Sequence, residues 1–174
     1  MMESIADKWK DWLGLHGPRL LLYARSWCPS REDAEDLVQD AVLRMWHHQA
    51  DKGHQTPDLP LVFSTIRFSA LNHLRSERRR RKREESVIYL NDFEDVWLDP
   101  LLEDDEEAIA MRNAVQKLSP KLRDVVVMKC WGGLTFQQIA ESLAISPNTA
   151  ASRYRYALEQ LALAMRSSQE ARHA

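Results

Sequence analysis

Basic side chains are concentrated in one short stretch of this 174-residue chain. Residues 78–83 read RRRRKR, and residues 67–83 together hold eight basic side chains and one acidic side chain, a net charge of +7. Clustered guanidinium groups are suited to binding phosphate. A run of like charge can also be a solvated helix face, and basic residues in the last turn of a helix complement its dipole. The stretch is therefore a candidate polyanion-binding segment with a purely structural alternative.

A second set of polar side chains lies near the start of the last predicted helix. The set comprises amide, hydroxyl and guanidinium groups: Asn148, Thr149, Ser152, Arg153 and Tyr156. Such groups read base edges or bind phosphate when a helix presents them to the major groove. The segment 135–158 has the form of a helix-turn-helix, with a short helix, a three-residue turn and a longer helix. The alternative is an ordinary helical hairpin with polar surface residues.

The helix that carries this second set needs an apolar stripe to orient it. Helical spacing predicts an inward stripe of Ala150, Tyr154, Ala157, Leu158 and Leu161. Thr135, and Ser146 followed by Pro147, predict the starts of the two helices. Ala144 stands in the turn, which need not demand a positive φ at this position.

Acidic and amide side chains form a third group, on a helix predicted over residues 31–48. Its apolar positions recur at steps of three and four: Ala34, Leu37, Val38, Ala41, Val42 and Met45. The opposite face carries Glu35, Asp36, Gln39, Asp40 and Leu43. This face is polar, yet helix packing does not require it.

The remaining elements complete an all-α fold. Residues 3–27 predict one or two helices with an interruption near Gly14–Pro18, and residues 50–60 predict a polar loop. A helix from Leu61 to about Arg83 has a core stripe of Phe63, Ile66, Ala70 and Leu74. Its other face carries Ser64, Phe68, Asn72, Arg75 and Arg79. Further helices are predicted over 106–117, from Ser119-Pro120 to Trp131, over 135–143 and from Pro147 to about Ser167.

Charge divides these elements into two domains and a linker. Residues 84–107 hold 11 acidic side chains and no basic one, whereas residues 108–174 have a net charge of +5. We predict a domain over 1–83, an acidic linker over 84–107 and a second domain over 108–174. Two basic regions on either side of an acidic segment suggest two contacts with one polyanion.

Several function classes find no support in the residues. There is no Ser/His/Asp set, no glycine-rich phosphate loop and no metal-binding spacing, so we expect no enzyme, no cofactor, no metal and no small-molecule substrate. Cys28 and Cys130 are expected to be buried small hydrophobes in a reducing cytosol. No signal peptide and no membrane-length apolar run is visible, which predicts a cytoplasmic protein without membrane insertion.

From about Leu13 to Leu163 the sequence resembles the extracytoplasmic-function sigma factors of the sigma-70 family. Residues 31–46 (REDAEDLVQDAVLRMW) look like the polymerase-binding helix of region two, and residues 66–75 (IRFSALNHLR) like the helix that engages the minus-ten promoter element. Residues 118–126, 133–140 (GLTFQQIA) and 146–153 (SPNTAASR) look like region four and its minus-thirty-five recognition helix. The chain departs from the family at Phe68, where Asn is usual, and at Ala144, where Gly is frequent.

The resemblance implies a role for each group of residues. Core RNA polymerase would bind Asp36, Gln39, Asp40 and Arg44. Promoter DNA would bind Phe68, Asn72, Arg75, Arg78 and Arg79 in the first domain. In the second domain it would bind the polar set at the start of the last helix: Asn148, Thr149, Ser152, Arg153 and Tyr156. The loop 50–60 would hold a flipped base. The implied function is promoter recognition, promoter melting and transcription initiation, with an anti-sigma factor as a possible further partner.

Two other functions stay open on the residues alone. An autonomous helix-turn-helix regulator would bind DNA without polymerase, as a dimer on two half-sites. That function leaves the Asp36/Gln39/Asp40 face without a role. A helical adaptor that binds only protein would leave the basic segment 67–83 without one.

Overall fold

The computed structural model describes residues 4–28, 30–53, 55–83 and 106–173, in two compact helical units divided between Val96 and Trp97. Among these residues lie seven α-helices and one 3-10 turn. They are α1 (Ile5–Arg25), α2 (Arg31–His48), α3 (Leu59–Arg83), α4 (Glu106–Lys117), α5 (Pro120–Cys130), α6 (Phe136–Leu143) and α7 (Pro147–His173), with the 3-10 turn at Ala50–Lys52. The all-α prediction is confirmed. The predicted acidic linker falls almost wholly outside the described residues, so its boundaries stay a prediction, although α4 begins at Glu106.

The first unit packs α1, α2 and α3 around an aromatic core. Tyr23 of α1 and Phe63 of α3 are fully buried, and their ring centroids are 5.0 Å apart. Trp9 of α1 meets Trp46 of α2 edge-on at 5.0 Å. Burial of such rings is the main favourable contribution to a small core of this kind. The contacts hold the three helices together and turn the opposite faces of α2 and α3 outward.

Helix α1 runs without a break through the predicted interruption. Pro18 lies inside it, and a Cβ added at Gly14 or Gly17 would meet nothing within 4 Å. Pro18 removes one backbone hydrogen bond. The buried Trp9 before it and Leu20 after it pack into the same core, so tertiary contacts hold both halves on one axis.

The predicted caps Thr135 and Ser146 are confirmed, and Ser30 caps the start of α2 in the same way. Ser30, Thr135 and Ser146 each accept a hydrogen bond from the backbone N–H three residues later, at 3.0, 3.2 and 3.0 Å. Ser119 occupies the same position before α5, with Pro120 following, but its side chain makes no such bond. Pro120 supplies the fixed φ of a first helical residue and has no N–H to satisfy.

The second unit is built around the junction of α5, α6 and α7. Its most buried side chains are the run Val125, Val126, Val127 and Met128, together with Leu134, Ile139, Ala150 and Ala157. The guanidinium of Arg123 donates to the carbonyl oxygens of Gln116 at 2.6 Å and Leu118 at 3.2 Å, joining α5 to the end of α4. Burial lowers the pKa of Arg123. This bond satisfies carbonyls that the end of α4 would otherwise leave unpaired.

The turn of the helix-turn-helix corrects one expectation. Ala144 has φ 52° and ψ 49°, the left-handed conformation in which an L residue is strained. The turn needs it because the Ile145 N–H must reach back to the Ala140 carbonyl, at 3.0 Å. The glycine frequent at this position in the family would meet that requirement without strain.

Ala144→Gly is expected to stabilise the second unit by about 0.5–1 kcal/mol, because relief of the strain exceeds the added unfolded-state entropy. The matched control is Ala162→Gly at an exposed position inside α7, which should destabilise by about 0.5–1 kcal/mol. Thermal melts of the two variants should therefore shift in opposite directions. A lower midpoint for Ala144→Gly would contradict the strain.

Candidate nucleic-acid interface

The N-terminal half of α7 presents a polar surface, the α7 recognition face, made of Asn148, Thr149, Ser152, Arg153 and Tyr156. Asn148 and Ser152 are exposed, Tyr156 is 55% exposed, and Thr149 and Arg153 are half-buried. Ala150, Ala157 and Leu161 are buried on the opposite side, as predicted. Leu158 was wrongly assigned to that inward stripe: it is 41% exposed. It lies about 100° around the helix from Ala157, at the margin of the buried stripe.

The hydroxyl groups of this face are partly used within the helix. The Thr149 hydroxyl lies 2.8 Å from that of Ser146, and the Ser152 hydroxyl donates to the Thr149 carbonyl at 3.1 Å. No hydrogen bond to another described residue engages the side chains of Asn148, Arg153 or Tyr156. These three side chains therefore have the most freedom to meet base edges or phosphates.

An aromatic cluster positions α7 against α5 and α6. The rings of Phe136 and Tyr154 meet edge-to-face at 5.6 Å, and the Lys129 ammonium lies 5.0 Å from the Phe136 centroid. The Tyr154 hydroxyl also lies 3.5 Å from the Cys130 thiol, a hydrogen bond that raises the pKa of Tyr154. Cys130 was expected to be buried and is instead exposed, while Cys28 is half-buried. These contacts fix the angle at which α7 leaves the turn.

The outward side of α3 forms a second candidate surface, the α3 outer face, made of Phe68, Asn72, Arg75 and Arg79. All four are exposed, and Phe68 is 59% exposed. Their spacing of four, three and four residues puts them on one side of the helix, opposite the buried Phe63, Ile66 and Ala70. Arg78 belongs to the same helix, but its side chain lies outside the described residues. An exposed aromatic ring followed by guanidinium groups suits unstacked nucleic acid.

The outward side of α2 is acidic and ends in an exposed leucine. We call it the α2 acidic face: Asp36, Gln39, Asp40 and Leu43. All four are exposed, Leu43 at 51%, and Arg44 is exposed beside them. Leu43 had been placed on this face without a role. An exposed leucine among polar groups resembles the apolar centre of a protein interface.

Neither a metal centre nor a membrane span is found in the part of the chain that the structure describes. His47 and His48 are both exposed, and no described group of three or more His, Cys, Asp or Glu could hold a metal ion. None of the described helices combines the length and apolar character needed to cross a bilayer.

Two helical units, one containing a helix-turn-helix, make up the fold of a DNA-binding transcription protein. Residues 13–80 match the family model for Sigma-70 region 2, and residues 108–161 match that for Sigma-70 region 4. The chain is 30% identical over 145 residues to an RNA polymerase sigma-E factor of Streptomyces avermitilis, covering 82% of this chain and 76% of the relative. It is 29% identical to the ECF RNA polymerase sigma factor SigL of Mycobacterium tuberculosis, covering 86% and 84%.

Solved structures have the same fold. The sigma factor RpoE in complex with the anti-sigma factor NepR from Bartonella quintana matches with a TM-score of 0.74, at 23% identity, over 91% of this chain and 96% of that one. CnrH, in complex with the cytosolic domain of CnrY, matches with a TM-score of 0.61, at 22% identity, over 91% and 87%.

The chain belongs to the sigma-70 family of RNA polymerase sigma factors, in its extracytoplasmic-function group. It is an RNA polymerase sigma factor that directs promoter recognition and transcription initiation. The alternative of an autonomous helix-turn-helix regulator finds no support in these comparisons.

Proposed function

We propose that this sigma factor divides its work among the three surfaces described above. The α2 acidic face binds core RNA polymerase, the α3 outer face binds the minus-ten element, and the α7 recognition face binds the minus-thirty-five element. The observation that carries the proposal is that the α2 and α3 faces lie opposite the buried stripes of their helices, and that Asn148, Ser152 and Tyr156 of the α7 recognition face are exposed. The exposed side chains of the three faces are therefore not needed for packing.

Binding of polymerase by the α2 acidic face is supported by its composition. Asp36, Gln39 and Asp40 lie on the two turns before the exposed Leu43, so carboxylate and amide groups adjoin an exposed apolar side chain. In protein interfaces the central apolar contact contributes most of the affinity, while charged rims steer association. Arg44 lies at the edge of this face and is assigned a peripheral contact.

The α3 outer face suits a promoter that must be opened. Arg75 and Arg79, with Arg78 and the basic residues that follow, neutralise phosphate charge. Phe68 and Asn72, about two turns and one turn before Arg75, offer a stacking surface and an amide to an unpaired base. The loop between α2 and α3 is assigned the capture of a flipped base, as in the family.

Three further properties follow from the same proposal. The protein makes and breaks no covalent bond, because polymerase carries out the chemistry. It acts in the cytoplasm, where polymerase is found. Its activity is restrained by an anti-sigma factor, since a sigma factor of the same fold was solved in complex with an anti-sigma factor, and CnrH, of the same fold, with the cytosolic domain of CnrY.

The proposal predicts that tight promoter binding requires core polymerase. Each unit of the free chain offers one small DNA surface, so the free chain should bind promoter duplex with only the roughly micromolar or weaker affinity of nonspecific contacts. With core enzyme, affinity should rise by about 100-fold or more. The measurement uses a promoter duplex selected by transcription with the reconstituted holoenzyme. Specific nanomolar binding by a dimer of the free chain would refute the proposal.

Arg153→Ala is expected to reduce recognition of the upstream element. If Arg153 reads a base, about 1–3 kcal/mol of discrimination should disappear at one position. If it binds phosphate, affinity should fall on all sequences and the dependence on salt should become shallower. The matched control is Arg166→Ala, an exposed arginine of the same helix beyond the region-four match. Holoenzyme binding to promoter variants at several salt concentrations measures both quantities, and a wild-type result would remove Arg153 from the interface.

A further inference from the structure

A tyrosine on the inner side of α7 joins this helix to both α5 and α6. Tyr154 is half-buried, and Ala150 and Ala157, one turn before it and one turn after it, are fully buried. The two alanines let α7 approach its neighbours closely, but a methyl group opposes rotation of a helix only weakly. Tyr154 is therefore the large side chain that orients this part of the inner stripe.

The side chain of Tyr154 is held at two points. Its ring meets the ring of Phe136, the first residue of α6, with centroids 5.6 Å apart and planes at 61°. Its hydroxyl lies 3.5 Å from the Sγ of Cys130, the last residue of α5. One contact holds the ring and the other holds its tip, so together they oppose rotation of α7 about its own axis.

Recognition of a base edge tolerates little rotation of the helix that carries the reading groups. Side chains reach about 5–6 Å from the helix axis, so a rotation of about 10° moves them by roughly 1 Å. A shift of roughly 1 Å takes a hydrogen bond well beyond its usual length of about 2.7–3.2 Å. A residue that opposes rotation of α7 therefore affects base discrimination without touching DNA.

The contact between Tyr154 and Cys130 constrains direction more than it stabilises the fold. Cys130 is exposed, and thiols are weak hydrogen-bonding groups, so the bond adds little to the free energy of unfolding. The hydrogen bond to Cys130, together with burial, raises the pKa of Tyr154, so the phenol keeps its proton at neutral pH. The ring tip thus stays uncharged and bonded to the end of α5.

We propose that Tyr154 is a positioning residue for the minus-thirty-five element, and that its contacts with Phe136 and Cys130 set the rotation of the α7 recognition face in the major groove. The proposal rests on the proposed function, because it concerns the face assigned to that element. It adds a role for Cys130, which was expected to be only a buried small hydrophobe.

The test measures base discrimination by the holoenzyme. The quantity is the ratio of its affinities for a promoter with an intact minus-thirty-five element and for the same promoter with that element scrambled. Tyr154→Phe keeps the ring and removes the hydroxyl, and Cys130→Ala removes the thiol, so each should lower the ratio by about 2- to 5-fold. The double variant should lower it no further than either single variant, because both remove the same bond. Tyr154→Leu also removes the ring contact with Phe136 and should lower the ratio by about 10-fold or more.

A control variant separates positioning from stability. Leu161 is buried on the same side of α7, two turns beyond Tyr154. Leu161→Ala opens a void in the core and should lower the melting midpoint more than Tyr154→Phe does, yet leave the ratio within about twofold of wild type. The salt dependence of promoter binding should match wild type in every variant, because no phosphate contact is lost.

The outcomes distinguish positioning from direct contact with DNA. Losses that multiply in the double variant, or a shallower salt dependence, would mean that the side chains touch DNA themselves, and positioning would be overturned. Wild-type ratios for both single variants, or a larger loss in Leu161→Ala, overturn it as well. Should Tyr154→Leu fail to fold, Cys130→Ala at its exposed position still decides the matter.

Failure of this role is distinguishable from failure of the proposed function. If Asn148→Ala and Arg153→Ala lower the ratio while the changes at Tyr154 and Cys130 do not, only the positioning role is overturned. If all four positions keep the wild-type ratio, the assignment of α7 to the minus-thirty-five element is overturned with it.

Discussion

Gln39→Ala combined with Asp40→Ala is expected to weaken binding of core RNA polymerase by about 30- to 1,000-fold. Both side chains are exposed on α2, while Leu37 before them and Ala41 after them are buried. Truncation therefore removes a carboxylate and an amide from the interface without opening the core. The stability of the free protein should change by less than about 0.5 kcal/mol, as for surface substitutions in general.

The measurement is the affinity of the labelled chain for core enzyme, together with a thermal melt of the free chain. Gln169→Ala combined with Glu170→Ala is the matched control. It removes an amide and a carboxylate from two adjacent exposed positions of α7, beyond the region-four match. This control should bind polymerase like wild type. Equal affinities of the two double variants would show that α2 does not carry the contact.

The second large effect is on stability and is confined to the first unit. Phe63→Ala should destabilise this unit by about 3–5 kcal/mol, because it removes a ring that is fully buried and packed at 5.0 Å from Tyr23. For a unit of this size the melting midpoint should fall by about 10 °C or more. Hydrogen exchange read on peptides should accelerate in α1, α2 and α3 and not in the second unit, which has its own core.

Phe68→Ala is the control for that result, because it makes the same substitution in the same helix at a ring that is 59% exposed. Stability should change by less than about 0.5 kcal/mol, whereas promoter opening by the holoenzyme should slow if Phe68 meets an unpaired base. Comparable destabilisation by both changes would mean that Phe68 packs against something in solution. The pair thus separates a core aromatic residue from a functional one within two helical turns.

Periodicity was sufficient to place most helices. The bounds of α2 and α4 agree with the prediction, and α6 begins directly after its predicted cap, Thr135. These segments combine a cap, a regular apolar stripe and a clear end, so local and tertiary preferences coincide. The prediction was wrong at α1, where Pro18 interrupts the local pattern but burial on both sides keeps the helix continuous.

The candidate surfaces were also largely predictable from spacing. Residues four, three and four apart on α3 share a face whatever the surrounding fold, and the structure leaves the predicted Phe68, Asn72, Arg75 and Arg79 exposed. The exposure of a side chain is harder to predict from spacing when the residue lies at the edge of a buried stripe. Leu158 was predicted inward and is 41% exposed, because only the neighbouring helices decide how wide the buried stripe is.

By itself the sequence determined the helical class, the caps and the polar faces, because these depend on contacts within a few residues along one chain. Tertiary structure alone decided the left-handed Ala144, the exposure of Cys130 and the cavity of about 160 Å³ beside the α2 acidic face. Ala144 is strained because two packed helices must meet at that turn. The cavity exists because Trp27, Asp40 and His73 come from three separate segments, and no periodicity within any one of them encodes the space between them.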